Sequence, residues 1–184
     1  MIISDRWDSF FYHLAQDCAS MSRCHSRQIG AVIVNDHRIV ATGYNGPPSG
    51  IVPCDERVEK DPYLNKLLLN AHVSARPGVC PRQLLGAKSG ELIELCPAVH
   101  AEANAIVNAA RVGNSVCGCV MYMTCGIPCR NCLGTIINSG ISEIVCTSLE
   151  WYDDSSKYLY FLSNLKLRLY DQEPVDKYKM RYGG

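Results

Sequence analysis

The sequence predicts an α/β domain. Three observations carry that prediction. Two β-rich runs joined by a turn follow an amphipathic run near the N-terminus. Helical and strand-like runs alternate after His100. A length of 184 residues, 47% hydrophobic and 20% charged, is enough for one packed core. Residues 1–184 are therefore read as a single domain, with a long insertion at about 47–97 and a polar tail at about 172–184.

Trp7, Phe10, Phe11, Leu14, Ala15 and Cys18 recur at steps of three and four after Ser4 and Asp5, which predicts a capped helix over residues 5–22. Ile29–Val34 and Arg38–Tyr44 are β-rich, and Asn35-Asp36-His37 between them suits a hairpin turn. Residues 46–97 hold seven of the nine prolines and show little period outside Leu64–Val73, so a long loop region is expected. Helices are expected at His100–Arg111, Cys129–Ser139 and near Ser155–Ser163. Strands are expected at Cys119–Thr124, Glu143–Cys146 and Leu165–Tyr170.

Eighteen basic against eighteen acidic side chains leave no net charge, which argues against a protein that binds nucleic acid through bulk charge. The N-terminus has acidic residues where an export signal needs basic ones, and no apolar run reaches the ~20 residues that span a bilayer. A cytoplasmic protein without a membrane partner is expected. In a reducing cytosol, eleven cysteines point to metal or chemistry before disulfides.

The strongest signal is His100-Ala101-Glu102 together with Pro128-Cys129-Arg130-Asn131-Cys132. Two cysteines three apart at a helix start aim both sulfurs at one ion, and the helix dipole favours their thiolates. Pro128 fits a helix beginning there. His100 supplies a nitrogen and leaves a fourth position open, the arrangement of catalytic zinc. Glu102, two residues on, reaches the site without ligating and suits a general acid and base. The alternative is a closed zinc knuckle with His100 as an ordinary helix residue.

His-x-Glu paired with Pro-Cys-x-x-Cys is the mark of zinc-dependent nucleobase deaminases, in which activated water attacks the carbon bearing the exocyclic amine. From Cys24 to about Tyr170 the chain resembles the deoxycytidylate (dCMP) deaminases. The segments that carry the resemblance are Cys24–Ile33, the loop Gly43-Tyr44-Asn45-Gly46-Pro47-Pro48-Ser49-Gly50, the run His100–Ile106 and Met121-Tyr122-Met123-Thr124. The resemblance implies a cytidine-deaminase-like three-layer αβα sandwich with a central mixed five-stranded sheet and a long cysteine-containing insertion. It also implies hydrolysis of dCMP to dUMP and ammonia, supplying dUMP for thymidylate synthesis. Alternatives are deamination of a modified deoxycytidylate, guanine or a tRNA adenosine, or a non-catalytic zinc-binding interaction module; zero net charge weighs against tRNA, and Glu102 against the module. Thr124-Cys125-Gly126-Ile127-Pro128 is longer than the family's usual segment and bears on the width of the pocket.

Five residues are expected to bind substrate. Asn45 offers a donor and an acceptor to a cytosine edge or sugar hydroxyl, in a Gly-Tyr-Asn-Gly turn that lets backbone approach a ligand; the same residues also make an ordinary turn. Arg27 and Arg111 are candidates for the phosphate, or else solvated surface arginines. Tyr152 either stacks on the base or reaches the phosphate, or packs as a plain aromatic. Ala101, inside the His-Ala-Glu motif, completes the set.

Some members of the resembled family hold a structural zinc with a cysteine before the first strand and another after the Gly-Tyr-Asn-Gly loop. Cys24 and Cys54 occupy those positions. With Cys80 and Cys96 from the insertion they are expected to form an all-cysteine second zinc site that clamps the insertion to the core, His72 being the alternative to Cys80 and four free thiols the alternative to any site. Cys18, Cys117, Cys119, Cys125 and Cys146 are read as small packing residues. The resemblance further implies a homo-oligomer, often a hexamer, with dCTP and dTTP as effectors and Mg2+ accompanying the triphosphate.

Overall fold

The computed structural model describes residues 6–88 and 90–170. In chain order the elements are α1 (Arg6–Ser20), β1 (Gly30–Asn35), β2 (Arg38–Tyr44), α2 (Cys54–Lys60), α3 (Pro62–Asn70), α4 (Pro81–Leu84), a 3-10 turn (Ile93–Leu95), α5 (Ala101–Arg111), β3 (Val120–Met123), α6 (Arg130–Asn138), β4 (Glu143–Cys146), α7 (Asp154–Leu162) and β5 (Lys166–Leu169). The five strands form one sheet in the order β2-β1-β3-β4-β5. β1 pairs antiparallel with β2 and β3, and β4 runs parallel to β3 and β5, so the sheet is mixed as expected.

Why three layers form is visible in β1. Ala31 and Ile33 point to one face and Val32 and Val34 to the other, and all four are buried. A strand apolar on both faces needs cover on both. Phe11 and Ala15 of α1 cover one face, against Val32, Val34, Tyr122 and Val145. Ala101, Ala105 and Ala109 of α5, Leu133 and Ile136 of α6 and Tyr160 of α7 cover the other.

Two glycines allow the helices to come this close. A methyl on Gly30 would lie 2.0 Å from the Ala15 carbonyl oxygen of α1, and one on Gly43 would lie 2.4 Å from both the Ala101 oxygen and the Ala105 nitrogen of α5. The hairpin turn is of the tight left-handed kind: Asp36 and His37 have φ of 46° and 60°. The His37 ring stacks on Trp7 of α1 at 4.5 Å.

On the α1 face, Arg168 binds Glu143 at 2.8 Å and Asp8 through two nitrogens, while the Tyr122 hydroxyl donates to Asp8 at 2.6 Å. Burial alone would raise the Asp8 carboxyl; the Arg168 and Tyr122 donors outweigh it and hold it below the usual carboxylate range.

The expected elements outside the insertion are present, with ends moved by one or two residues. The insertion itself differs from the expected loop, because it contains α2, α3, α4 and the 3-10 turn. Its prolines were the reason for expecting a loop, yet Pro53 precedes α2 as its cap, and Pro62 and Pro81 open α3 and α4. Proline at a helix start removes no ladder bond. Asp61 caps α3 by accepting from Leu64 N at 3.1 Å. The buried Arg57 donates to Asp61 at 2.8 Å and to the Leu95 oxygen at 2.7 Å, joining the two ends of the insertion. Of the five packing cysteines, Cys119 and Cys146 are buried and Cys18 is half-buried, whereas Cys117 is exposed in the turn before β3. The tail at 172–184 lies outside the described residues.

Candidate functional site

Two helix starts meet on one side of the sheet. His100 is the N-cap of α5 and Cys129 the N-cap of α6, with Cys132 at the third helical position, so Pro128 stands before the cap and not inside the helix. The ligand atoms of His100, Cys129 and Cys132 lie within 4.8 Å of one another, the one such cluster of three among the described residues. His100 Nδ1 is 3.7 Å from the Cys129 sulfur and 3.4 Å from that of Cys132. Zinc at ordinary bond lengths in tetrahedral geometry separates a nitrogen from a sulfur ligand by about 3.6 Å. The donor set and its spacing therefore fit zinc.

The charges agree. Cys129 is drawn down to about 4, first by the Cys132 thiol and then, against burial, by the His100 ring. Cys132 is correspondingly pushed up, since it donates to the Cys129 thiolate. The Cys129 contact also raises the His100 ring above its ordinary value. Glu102, 4% exposed, lies two residues into α5 and faces the same group; burial pushes its carboxyl up, which suits a group that must hold a proton and release it.

These residues open into a cavity of about 580 Å³, of the size that takes a small ligand. Arg27, Asn45 and Tyr152, three of the residues expected to bind substrate, line it. So do Cys125, Gly126 and Ile127, the longer segment beside the metal ligands, so Cys125 borders the cavity besides packing. Asn45 does a second job. Its Oδ1 accepts from Ile29 N at 2.8 Å and its Nδ2 donates to the Arg27 oxygen at 2.9 Å, which fixes the segment leading into β1. The first glycine of the Gly-Tyr-Asn-Gly turn serves helix packing, since Gly43 backs onto α5, whereas Gly46 has open space beside it apart from the Tyr44 ring. Tyr152 is 53% exposed, and the packed aromatic is its neighbour Trp151, against Tyr160 and Phe161.

One expectation needs correction and one is narrowed. Arg111 ends α5, eleven residues from His100 and so about 16 Å along the helix, too far to meet a ligand at the metal. Ala101 is fully buried against the core, and what it has to offer a ligand is its backbone N–H in the first turn of α5. One cation was missed. Arg82, next to Pro81 at the start of α4, lines the cavity; it donates to the Glu91 oxygen at 2.7 Å while its Nε is buried with no partner among the described residues. The signal available in the sequence was a cation directly after Cys80-Pro81, in a segment singled out for its cysteine alone.

Cys24, Cys54, Cys80 and Cys96 all line the same cavity. Burial, then the nearby thiols of Cys24, Cys96 and Cys80, push the Cys54 thiol up to about 11. The four thus gather in one region but do not close to the ligand spacing of the first cluster. His72, the alternative ligand, follows the C-cap of α3 in the left-handed region at φ 55° and is not among the residues that line the cavity.

Residues 5–148 match the family described as the cytidine and deoxycytidylate deaminase zinc-binding region. The chain is 33% identical over 167 residues to a deoxycytidylate deaminase of Schizosaccharomyces pombe, covering 89% of this chain but 44% of that protein. It is 34% identical over 144 residues to a deoxycytidylate deaminase of Mycobacterium phage D29, covering 76% of this chain and 92% of the phage protein. Among solved structures, the dCMP deaminase of cyanophage S-TIM5 in complex with dCMP and dUMP superposes with a TM-score of 0.61 at 20% identity, covering 91% of this chain and 98% of that one.

Proposed function

The chain belongs to the cytidine and deoxycytidylate deaminase zinc-binding family, and from that premise we propose that it hydrolyses dCMP to dUMP and ammonia. The observation that carries the proposal is the convergence of His100, Cys129 and Cys132 at zinc-ligand spacing with the buried Glu102 beside them at the cavity floor. His100, Cys129 and Cys132 would hold zinc, which would supply the Lewis acidity that makes water a nucleophile at neutral pH. Glu102 takes one proton from the attacking water and delivers it to the ring nitrogen of the cytosine, then takes the second from the hydroxyl now on the attacked carbon and delivers it to the departing amine, leaving the carbonyl of the product. The first-turn N–H of Ala101 and the remaining amide valences of Asn45 meet the base and sugar. Arg27 and Arg82 meet the phosphate, and Tyr152 walls the mouth of the cavity.

The test is ammonia release from dCMP, compared with dCTP, cytidine and guanine, by the wild type and by Glu102→Ala. Release from dCMP that the substitution abolishes supports the proposal. Release from another base alone, or from none, overturns it.

The second zinc belongs to the same proposal: Cys24, Cys54, Cys80 and Cys96 hold a structural ion that draws the insertion onto the core. The gathering of the four thiols around Cys54 supports it. Two zinc ions per chain in carefully prepared protein, falling to one in Cys54→Ser, are expected; one per chain in the wild type removes the site. The family resemblance is likewise what supports a homo-oligomer, as a hexamer, with dCTP and dTTP as effectors carried by Mg2+. Sigmoidal dCMP kinetics made hyperbolic by dCTP would bear this out. No helix among the described residues is long and apolar enough to cross a membrane.

A further inference from the structure

β2 is an edge strand, and an edge strand presents a row of backbone groups that nothing in its own sheet can satisfy. Here the row of carbonyls is met from one continuous segment. Val40 O accepts from Asn114 Nδ2 at 3.2 Å, Thr42 O from Asn108 Nδ2 at 2.9 Å and Tyr44 O from Asn104 Nδ2 at 2.8 Å. Beyond the strand, Gly46 O accepts from Val99 N at 2.8 Å, and Gly46 N donates to Val99 O at 3.1 Å. As the strand number rises by two, its partner moves back along 114, 108, 104 and 99.

The spacing has a physical basis. Four residues of helix rise about 6.0 Å and two residues of strand about 6.7 Å, so asparagines at i and i+4 can reach alternate carbonyls of an antiparallel strand. The small mismatch accumulates. It is absorbed where α5 ends, by a step of six residues to Asn114, and where β2 bulges against β1 between Ile33 and Val34. The two ends of the ladder differ in what they border. Val99 immediately precedes His100, and Tyr44 immediately precedes Asn45, so the last rungs join the metal-ligand helix to the wall of the cavity; the Asn114 rung is at the far end of α5.

We propose that Asn104 and Asn108 are positioning residues: their bonds to the outer edge of β2 fix the axial register of α5, and so hold His100 and Glu102 opposite Asn45 and the ligand pair of α6. The small alanines of α5 and Gly43 leave a smooth seam against the sheet, which resists separation but offers little against sliding. Directional bonds to successive carbonyls supply that resistance. The inference rests on the deamination proposed above for its kinetic arm alone.

The experiment compares Asn104→Ala, Asn104→Asp, Asn108→Ala and Asn114→Ala for zinc affinity by chelator competition, for melting temperature, and for kcat and KM with dCMP. Asn104→Asp keeps the shape and removes the donor. Each variant loses one side-chain bond to an accessible carbonyl, so all should fold and show similar small falls in Tm. Asn104→Ala, Asn104→Asp and Asn108→Ala should lose about 10-fold in zinc affinity and in kcat, with KM little changed, the size seen when a residue that orients a metal ligand is removed. Asn114→Ala should keep both. Equal losses in all four variants, following Tm, would overturn the proposal, as would wild-type zinc affinity in Asn104→Asp. If the wild type released no ammonia from dCMP, the deaminase proposal would fall while the zinc-affinity comparison still decided the role of the asparagines.

Discussion

Gly43→Ala tests how the site depends on the seam between β2 and α5. The new methyl would sit 2.4 Å from the Ala101 oxygen and 2.4 Å from the Ala105 nitrogen, whereas ordinary contact begins near 3.4 Å. Both obstacles are backbone and have no rotamer to escape into, so α5 must retreat by about 1 Å. His100 and Glu102 travel with α5, while Cys129 and Cys132 stay with α6. A separation of 3.4–3.7 Å between nitrogen and sulfurs then opens beyond what one tetrahedral ion bridges. Overpacking of this kind costs about 1–3 kcal/mol of stability. Misplacing a reacting group by that distance costs about 100-fold in turnover. Thermal unfolding, chelator competition for zinc and ammonia release from dCMP measure the three effects. A variant with wild-type Tm and zinc affinity but a raised KM would refute the reasoning, because Gly43 would then serve the ligand and not the helix.

Other outcomes are expected elsewhere in the chain. Glu102→Gln should keep zinc and fold but lose at least about 100-fold in kcat, because proton transfer is the carboxyl's contribution; retained turnover would assign the proton to another group. Arg82→Gln should raise KM for dCMP more than for deoxycytidine; equal changes would remove Arg82 from the phosphate site. Asp8 is held below its ordinary value in the fold, so its contribution is present above the unfolded carboxylate pKa of ~3.9 and is lost as pH falls through the lower folded one. Arg168→Leu should cost about 3–5 kcal/mol near neutral pH by leaving Asp8 and Glu143 without their cation, and that deficit should shrink as pH falls and Asp8 takes up its proton. A deficit in denaturation curves that did not change with pH would contradict this.

What the sequence disclosed depended on whether the signal was local. His100 with Glu102, and Cys129 with Cys132, are pairs two and three residues apart, so the metal chemistry was legible before any fold was known. The hairpin was legible for the same reason, since Asn35-Asp36-His37 sits between two β-rich runs. The insertion was misjudged because a proline reads alike as a helix breaker and a helix opener; Pro62 and Pro81 are openers. Arg111 was misassigned because closeness in the chain to the metal-ligand helix is not closeness to the metal. Arg82 and the rungs from Asn104, Asn108 and Asn114 to β2 depend on contacts across 9 to 74 residues, which no local pattern announces.

The two helix starts at the metal have a further consequence. His100 and Cys129 stand at N-cap positions yet make no side-chain bond to their own helices. A capping side chain is worth about 1 kcal/mol, and here the residues at those positions turn to the metal-ligand cluster instead. An ion held there would anchor the first turns of α5 and α6 from outside, and occupancy of the site would be written into the local opening of both. Amide hydrogen exchange in those two turns should slow on metal binding far more than in their last turns, reporting metal loading without any substrate.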